Sequence, residues 1–114
     1  MRNDRDRLLD IAEAIERIER YAQTGRQSVE SDELKQTWIV HHLQIIGEAA
    51  GKLSEGIRLA HSQVPWAEII AMRNILVHDY FGVDLDEVWS AVVRDLPPLE
   101  RSVREMLREI DSGR

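Results

Sequence analysis

The sequence predicts an all-α fold. Glycine and proline are scarce, six and three in 114 residues. Long stretches carry no turn signal, and apolar residues recur at helical spacing. The length fits a single domain, residues 1–114, able to bury roughly 60–70% of its unfolded surface without disulfides or metal. Apolar residues are 43% and charged residues 32%, a globular balance.

The first helix is expected over residues 3–24, with Leu8, Ile11, Ala12, Ile15, Ile18 and Ala22 on one face and Gly25 ending it. The second starts at Ser31, whose hydroxyl can cap the first turn, with Leu34 as its first core residue. It carries two apolar stripes: Leu34, Trp38, Ile45 and Ala49, and Ile39, Leu43, Ile46, Ala50 and Leu53. A helix apolar on two sides is central. Gly47 and Gly51 each cost it about 1 kcal/mol against alanine, and close approach of another helix is the return. Residues 54–65 form a connector with one short turn near residues 57–61.

Pro65 suits the first turn of a third helix, expected over residues 66–79 and buried, because WAEIIAMRNILVHD is apolar almost all round. Phe81-Gly82 breaks it. Asp84 can cap a fourth helix over residues 85–95, with Leu85, Val88, Trp89 and Val92 inward. Pro97-Pro98 interrupts it, and a fifth segment follows with Leu99, Val103, Met106, Leu107 and Ile110 inward. The result is an up-down bundle of four long helices, the last split at Pro97-Pro98.

Composition excludes several functions. The absence of cysteine removes a disulfide scaffold, a thiol nucleophile and cysteine-ligated metals. No apolar run approaches the roughly 18 residues of a membrane span, and the first ten residues are too polar for a signal peptide. The net charge, 15 − 21 = −6, argues against a broad basic face that coats nucleic acid. The cations are thirteen arginines and two lysines, and arginine is the residue for bidentate phosphate contact.

Arg73, Asn74, His78, Asp79 and Tyr80 fall within the run RNILVHDY, between apolar flanks. Polar groups in a buried helix must be paired or line a cleft. On an ideal helix Asn74 and His78 lie about 40° apart and Arg73 and His78 about 140° apart. One straight helix does not focus them on one point. Either its end relaxes near Asp79, or a two-fold copy supplies the complement, the arrangement favoured here. Histidine moves protons near neutrality, and arginine holds a phosphate and offsets developing charge. Together they suit RNA cleavage by the RNA's own 2′-hydroxyl, with no acidic cluster for magnesium and no cofactor. The competing reading is architectural: a buried pair of Arg73 with Glu48 and a satisfied core histidine.

RNILVHDY resembles the arginine, four residues, histidine, one residue, tyrosine signature of HEPN domains, in the HepT branch of ribonuclease toxins. Ile46-Gly47-Glu48-Ala49-Ala50, Pro65-Trp66, Tyr80-Phe81, Val88-Trp89 and Asp95-Leu96-Pro97 fit that branch, in order along nearly the whole chain. The resemblance implies a homodimer with two motifs flanking one cleft, and the expected location is cytoplasmic. It implies a metal-independent endoribonuclease toxin acting on transfer or messenger RNA. The partner it implies is a cognate minimal nucleotidyltransferase (MNT-type) antitoxin that transfers AMP to the motif tyrosine. By position, Arg73 and His78 are catalytic, Asn74 supports them and Tyr80 accepts AMP. Glu48, Asp79 and His42 are further supporting candidates. The alternative is a non-catalytic module that binds a nucleotide or the nucleotidyltransferase.

Other polar residues weigh less. His41 and His42 point about 100° apart and do not form a metal pair. His61 is expected in solvent, and Arg58 and His61 are secondary candidates for phosphate contact. Trp38, Trp66 and Trp89 read as core. Arg101, Arg104 and Arg108 alternate with glutamates as a solvated face. Asp84, Asp86 and Glu87 form an acidic patch suited to a basic partner surface.

Overall fold

The computed structural model describes residues 2–74, 77, 78 and 82–113. Their order is α1 (Asp4–Ala22), α2 (Arg26–Glu30), α3 (Glu33–Gly51), α4 (Glu55–Ala60), α5 (Trp66–Ala71), a 3-10 turn (Met72–Asn74), β1 (Val77–His78), β2 (Gly82–Val83), α6 (Leu85–Ser90), a π turn (Ala91–Asp95) and α7 (Leu96–Ser112). The architecture is a helical bundle, and β1 and β2 make one short antiparallel ladder with His78 opposite Gly82.

Helix α1 begins with a capping box in which Asn3 and Asp6 satisfy each other's backbone amides. Its Leu8, Ile11, Ile15 and Ile18 are fully buried against α3 and α7. Helix α3 is central, as its two stripes require: Ile39, Leu43, Ile46 and Ala50 are fully buried. Its cap is Asp32, one residue past the expected Ser31, because residues 26–30 form a helix of their own and Ser31 closes it. Val29 of that short helix is buried, and Gln36 donates to the Val29 and Glu30 carbonyls. Val29 thus fills the end of the core where Leu34 was expected, and Leu34 stands 82% exposed.

The connector contains α4, capped by Ser54, whose amide and hydroxyl also bond the Asp4 carboxylate at 2.9 and 2.6 Å. The last helix is not split at Pro97-Pro98. Residues 85–112 run on through the π turn, where the Leu96 amide donates to the Ala91 carbonyl five residues back. A proline ring ordinarily strikes the carbonyl four residues before it. The wider turn opens the ladder ahead of the two rings, which sit in the first turn of α7. Leu96, Leu99, Val103 and Met106 face inward, while Ile110, expected inward, is exposed.

The third helix differs most from expectation. It ends at Ala71, tightens into the 3-10 turn and gives way to extended backbone at Val77 and His78. The β-branched Val77 favours extended backbone, and a short apolar run does not discriminate helix from strand. Nor is this element buried all round: Ile69 and Met72 are buried, but Ala67, Glu68, Ala71, Arg73 and Asn74 are exposed.

The close approach expected at the glycines is present. A Cβ on Gly47 would lie 2.4 Å from the Arg73 amide nitrogen and 2.8 Å from the Ile70 carbonyl oxygen. A Cβ on Gly51 would meet the Arg73 guanidinium at 3.3 Å, the far end of a flexible side chain. The two substitutions therefore separate. Gly47→Ala is expected to lower unfolding free energy by about 2–3 kcal/mol, as for overpacking against backbone. Gly51→Ala should stay within about 1 kcal/mol of the parent, since helix propensity offsets the displaced guanidinium. Urea unfolding of both variants checks the contrast.

Candidate functional site

Arg73 and Asn74 occupy the 3-10 turn that leaves α5, held against α3 at Gly47. Met72 anchors the turn in the core at 3% exposure, and the two polar residues face solvent. His78 follows on β1, whose pairing with β2 places it opposite Gly82. Among the described residues of the motif, Arg73 and Asn74 are thus in a turn and His78 is on extended backbone, so the angles of a continuous helix do not relate them. Asp79 and Tyr80 lie outside the described residues.

Glu48 does not pair with Arg73. Its carboxylate is 3.7 Å from the Lys52 ammonium, one turn along α3, and is half exposed. Arg73 has no ion pair or hydrogen bond among the described residues. The buried Arg73–Glu48 pair of the architectural reading is thus absent from the described structure, because the glycine contact brings Arg73 over the small-residue side of α3 while Glu48 projects to solvent.

His42 faces the opposite way. It packs toward α1 in a recess with Asp10, Glu13, Arg17 and Ile45. It is buried, its Nδ1 is 2.7 Å from the Trp38 carbonyl and its ring lies 4.5 Å from the Trp38 ring. Five residues separate it from Gly47, a rotation of about 140° around α3, so it does not reach the Arg73 side. Adjacent His41 is exposed, as two successive helical positions require. The three tryptophans pack on the core. Trp38 donates to the Arg17 carbonyl, and Trp66 to the Arg58 and His61 carbonyls.

His61, expected in solvent, is buried, with Nε2 3.0 Å from Glu109 Oε1. The reason is tertiary: α7 passes over the connector and covers it. Arg58 has its Nε buried without a hydrogen-bond partner among the described residues. Arg101, Arg104 and Arg108 are exposed, and Arg104 pairs with Glu100, as a solvated face demands.

Beside the Arg73 turn lies a cleft of about 510 Å³ lined by Glu68, Ala71, Met72, Glu87, Ser90, Ala91 and Asp95. The sequence placed acids here only through Glu87; Glu68 and Asp95 join it by folding. Burial first, and the charge of Glu68 second, raise the Asp95 carboxyl above its ordinary range. The acidic patch is partly neutralised, because Asp86 pairs with Arg26 of α2. A second, largely apolar groove of about 450 Å³ is lined by Tyr21, Leu34, Lys35, Trp38 and His41. Sequence reasoning missed it because it read Leu34 and Trp38 as interior. Among the described residues no helix is long and apolar enough to cross a membrane.

The architecture is compatible with a HEPN-like helical bundle that presents an arginine and an asparagine on a turn at the exit of a short helix. A family model described as "Ribonuclease HepT-like" matches residues 11–106, and the chain belongs to that family. "Probable ribonuclease HepT" of Thermococcus cleftensis is 38% identical over 100 residues, 87% of this chain and 91% of that protein. A protein of Caldanaerobacter subterraneus subsp. tengcongensis named "Putative RNase" is 44% identical over 70 residues, 61% of this chain and 62% of that one. A Methanocaldococcus jannaschii protein named "Gamma-glutamylcyclotransferase and putative RNase" is 34% identical over 108 residues, 91% of this chain but 47% of its own. No solved structure gives a significant match.

Burial lowers the His42 pKa, the Trp38 carbonyl opposes that shift, and His41 adds to it. The folded state therefore holds His42 neutral where the unfolded chain begins to protonate. Its contribution to stability is complete above about pH 6.5, the unfolded value, and is lost as pH falls below that toward the folded pKa. The difference in unfolding free energy between the parent and His42→Gln should shrink from pH 7.5 to pH 5.5. A constant difference across that range would show that His42 does not titrate in this way.

Proposed function

We propose that the chain is a metal-independent endoribonuclease, the toxin of a toxin–antitoxin pair, acting as a homodimer. The observation that carries this is the exposed, glycine-seated Arg73 in a chain of the HepT-like ribonuclease family. Arg73 binds the scissile phosphate and offsets charge as the pentavalent transition state forms. One basic group takes the 2′-hydroxyl proton, the oxygen attacks phosphorus, and a protonated group returns a proton to the departing 5′-oxygen. His78 fills one of these two roles, and Asn74 orients the phosphate. Products are a 2′,3′-cyclic phosphate and a 5′-hydroxyl, so the step balances without metal or cofactor.

The dimer is supported by α5. Ala67 and Ala71 are exposed and Ile70 is partly buried, which leaves a small-residue face beside the Arg73 turn for a second copy. A two-fold axis there would bring two arginines round one cleft. The acidic cleft next to it repels RNA and suits a basic protein surface, that of a nucleotidyltransferase antitoxin.

Arg73→Ala and His78→Ala should each reduce RNA cleavage by about 100-fold or more in the presence of EDTA. Arg73 is exposed, so its variant should unfold within about 1 kcal/mol of the parent. Cleavage that stops with EDTA and returns with magnesium would refute the metal-free mechanism. A Arg73→Ala protein that unfolds would return the motif to an architectural role.

The reading also assigns Tyr80 as acceptor of AMP from the antitoxin. Coexpression with a cognate nucleotidyltransferase should add one or more adenylates, seen by intact mass and absent in Tyr80→Phe. An adduct that survives Tyr80→Phe would move the modification elsewhere.

A further inference from the structure

We propose that His61, Glu105 and Glu109 form a binding site for one zinc-class divalent cation, which would staple the connector before α5 to the last helix. The ligand atoms of the three residues all lie within 4.8 Å of one another. Glu105 and Glu109 are one turn apart on α7 and project from one side of it. His61 comes from the end of α4, a different element, so an ion here ties two parts of the chain.

The histidine is already in place. It is 8% exposed, its amide bonds back to Ile57 and Arg58, and its carbonyl accepts from Trp66 Nε1 at 3.0 Å. The glutamates are exposed and free to adjust. Tetrahedral zinc with bonds of about 2.0–2.1 Å sets its ligand atoms about 3.3–3.5 Å apart. His61 Nε2 and Glu109 Oε1 stand at 3.0 Å, so an ion between them needs a small outward shift of one flexible carboxylate. Glu105 then closes inward as the third ligand and water supplies the fourth.

Charge points the same way. One neutral imidazole with two carboxylates carries −2, which a divalent ion cancels, whereas the histidine–glutamate contact among the described residues engages Glu109 and not Glu105. The donor set selects the metal class. An imidazole nitrogen with few oxygens suits zinc and its neighbours, while magnesium demands about six oxygens in octahedral array. The solvent-facing glutamates leave an entry path.

The site contains none of Arg73, Asn74 or His78, and the proposal stands or falls apart from the ribonuclease reading. Its consequence is mechanical. Residues 61–65 lead directly into α5, whose far end carries the Arg73 turn, and a bound ion would suppress local opening of that lead-in.

The test uses the full chain, stripped with EDTA, dialysed and titrated with zinc chloride by calorimetry. One saturable zinc per chain is expected, with a melting temperature raised by roughly 5–10 °C at a hundredfold excess over Kd. Glu105→Gln and Glu109→Gln, both at exposed positions, should weaken binding tenfold or more each, and His41→Gln should leave it unchanged. Magnesium at the same concentrations should give no shift. Absence of saturable binding, an equal response to magnesium, or zinc affinity unaffected by Glu105→Gln and Glu109→Gln would each overturn the proposal.

Discussion

The contact between the Gly47 position of α3 and the Arg73 backbone governs how this molecule presents its chemistry. Removing one side chain from a central helix lets another backbone come within 3 Å of where a Cβ would sit. That proximity draws the turn after α5 onto the bundle and leaves Arg73 and Asn74 at the surface. A larger residue at Gly47 would push the turn outward and release the anchor that Met72 provides. The helix-propensity cost of two glycines is small beside the precision this contact imposes on the position of the Arg73 backbone.

Around that contact the chain segregates its charges. Arginines on α7 are exposed, one of them paired with a neighbouring glutamate, and Asp86 is taken up by Arg26. Glu68, Glu87 and Asp95 gather beside Arg73 in one cleft. The net −6 charge is thus no obstacle to a single local phosphate contact. It opposes only the broad, non-specific binding that depends on many cations.

Much of the fold was legible along the chain. Periodicity identified α1, α3, the short turn in the connector and the two halves of the last helix, because burial of one helical stripe is written in spacing. Asp84 caps α6 as its sequence position suggested. The exit of α5 was not legible. ILVH satisfies a helical and an extended pattern equally, and the preference is settled by what the backbone packs against. Leu34 and His61 exchanged their expected places for the same reason. Val29 filled one end of the core and α7 covered the connector, and neither event has a signature in local spacing. The π turn likewise absorbs two prolines that local rules read as a break.

By itself the sequence determined the helical class, the central helix, the glycine pair and the identity of the residues in RNILVHDY. Those are consequences of side-chain chemistry at fixed intervals. Only the tertiary structure decided that Arg73 stands free of Glu48, that His42 points away from it, and that Glu68 and Asp95 join Glu87 beside it. These are distances between residues remote in sequence. They are set by how closely backbones approach, which depends on the volume of every neighbour at once.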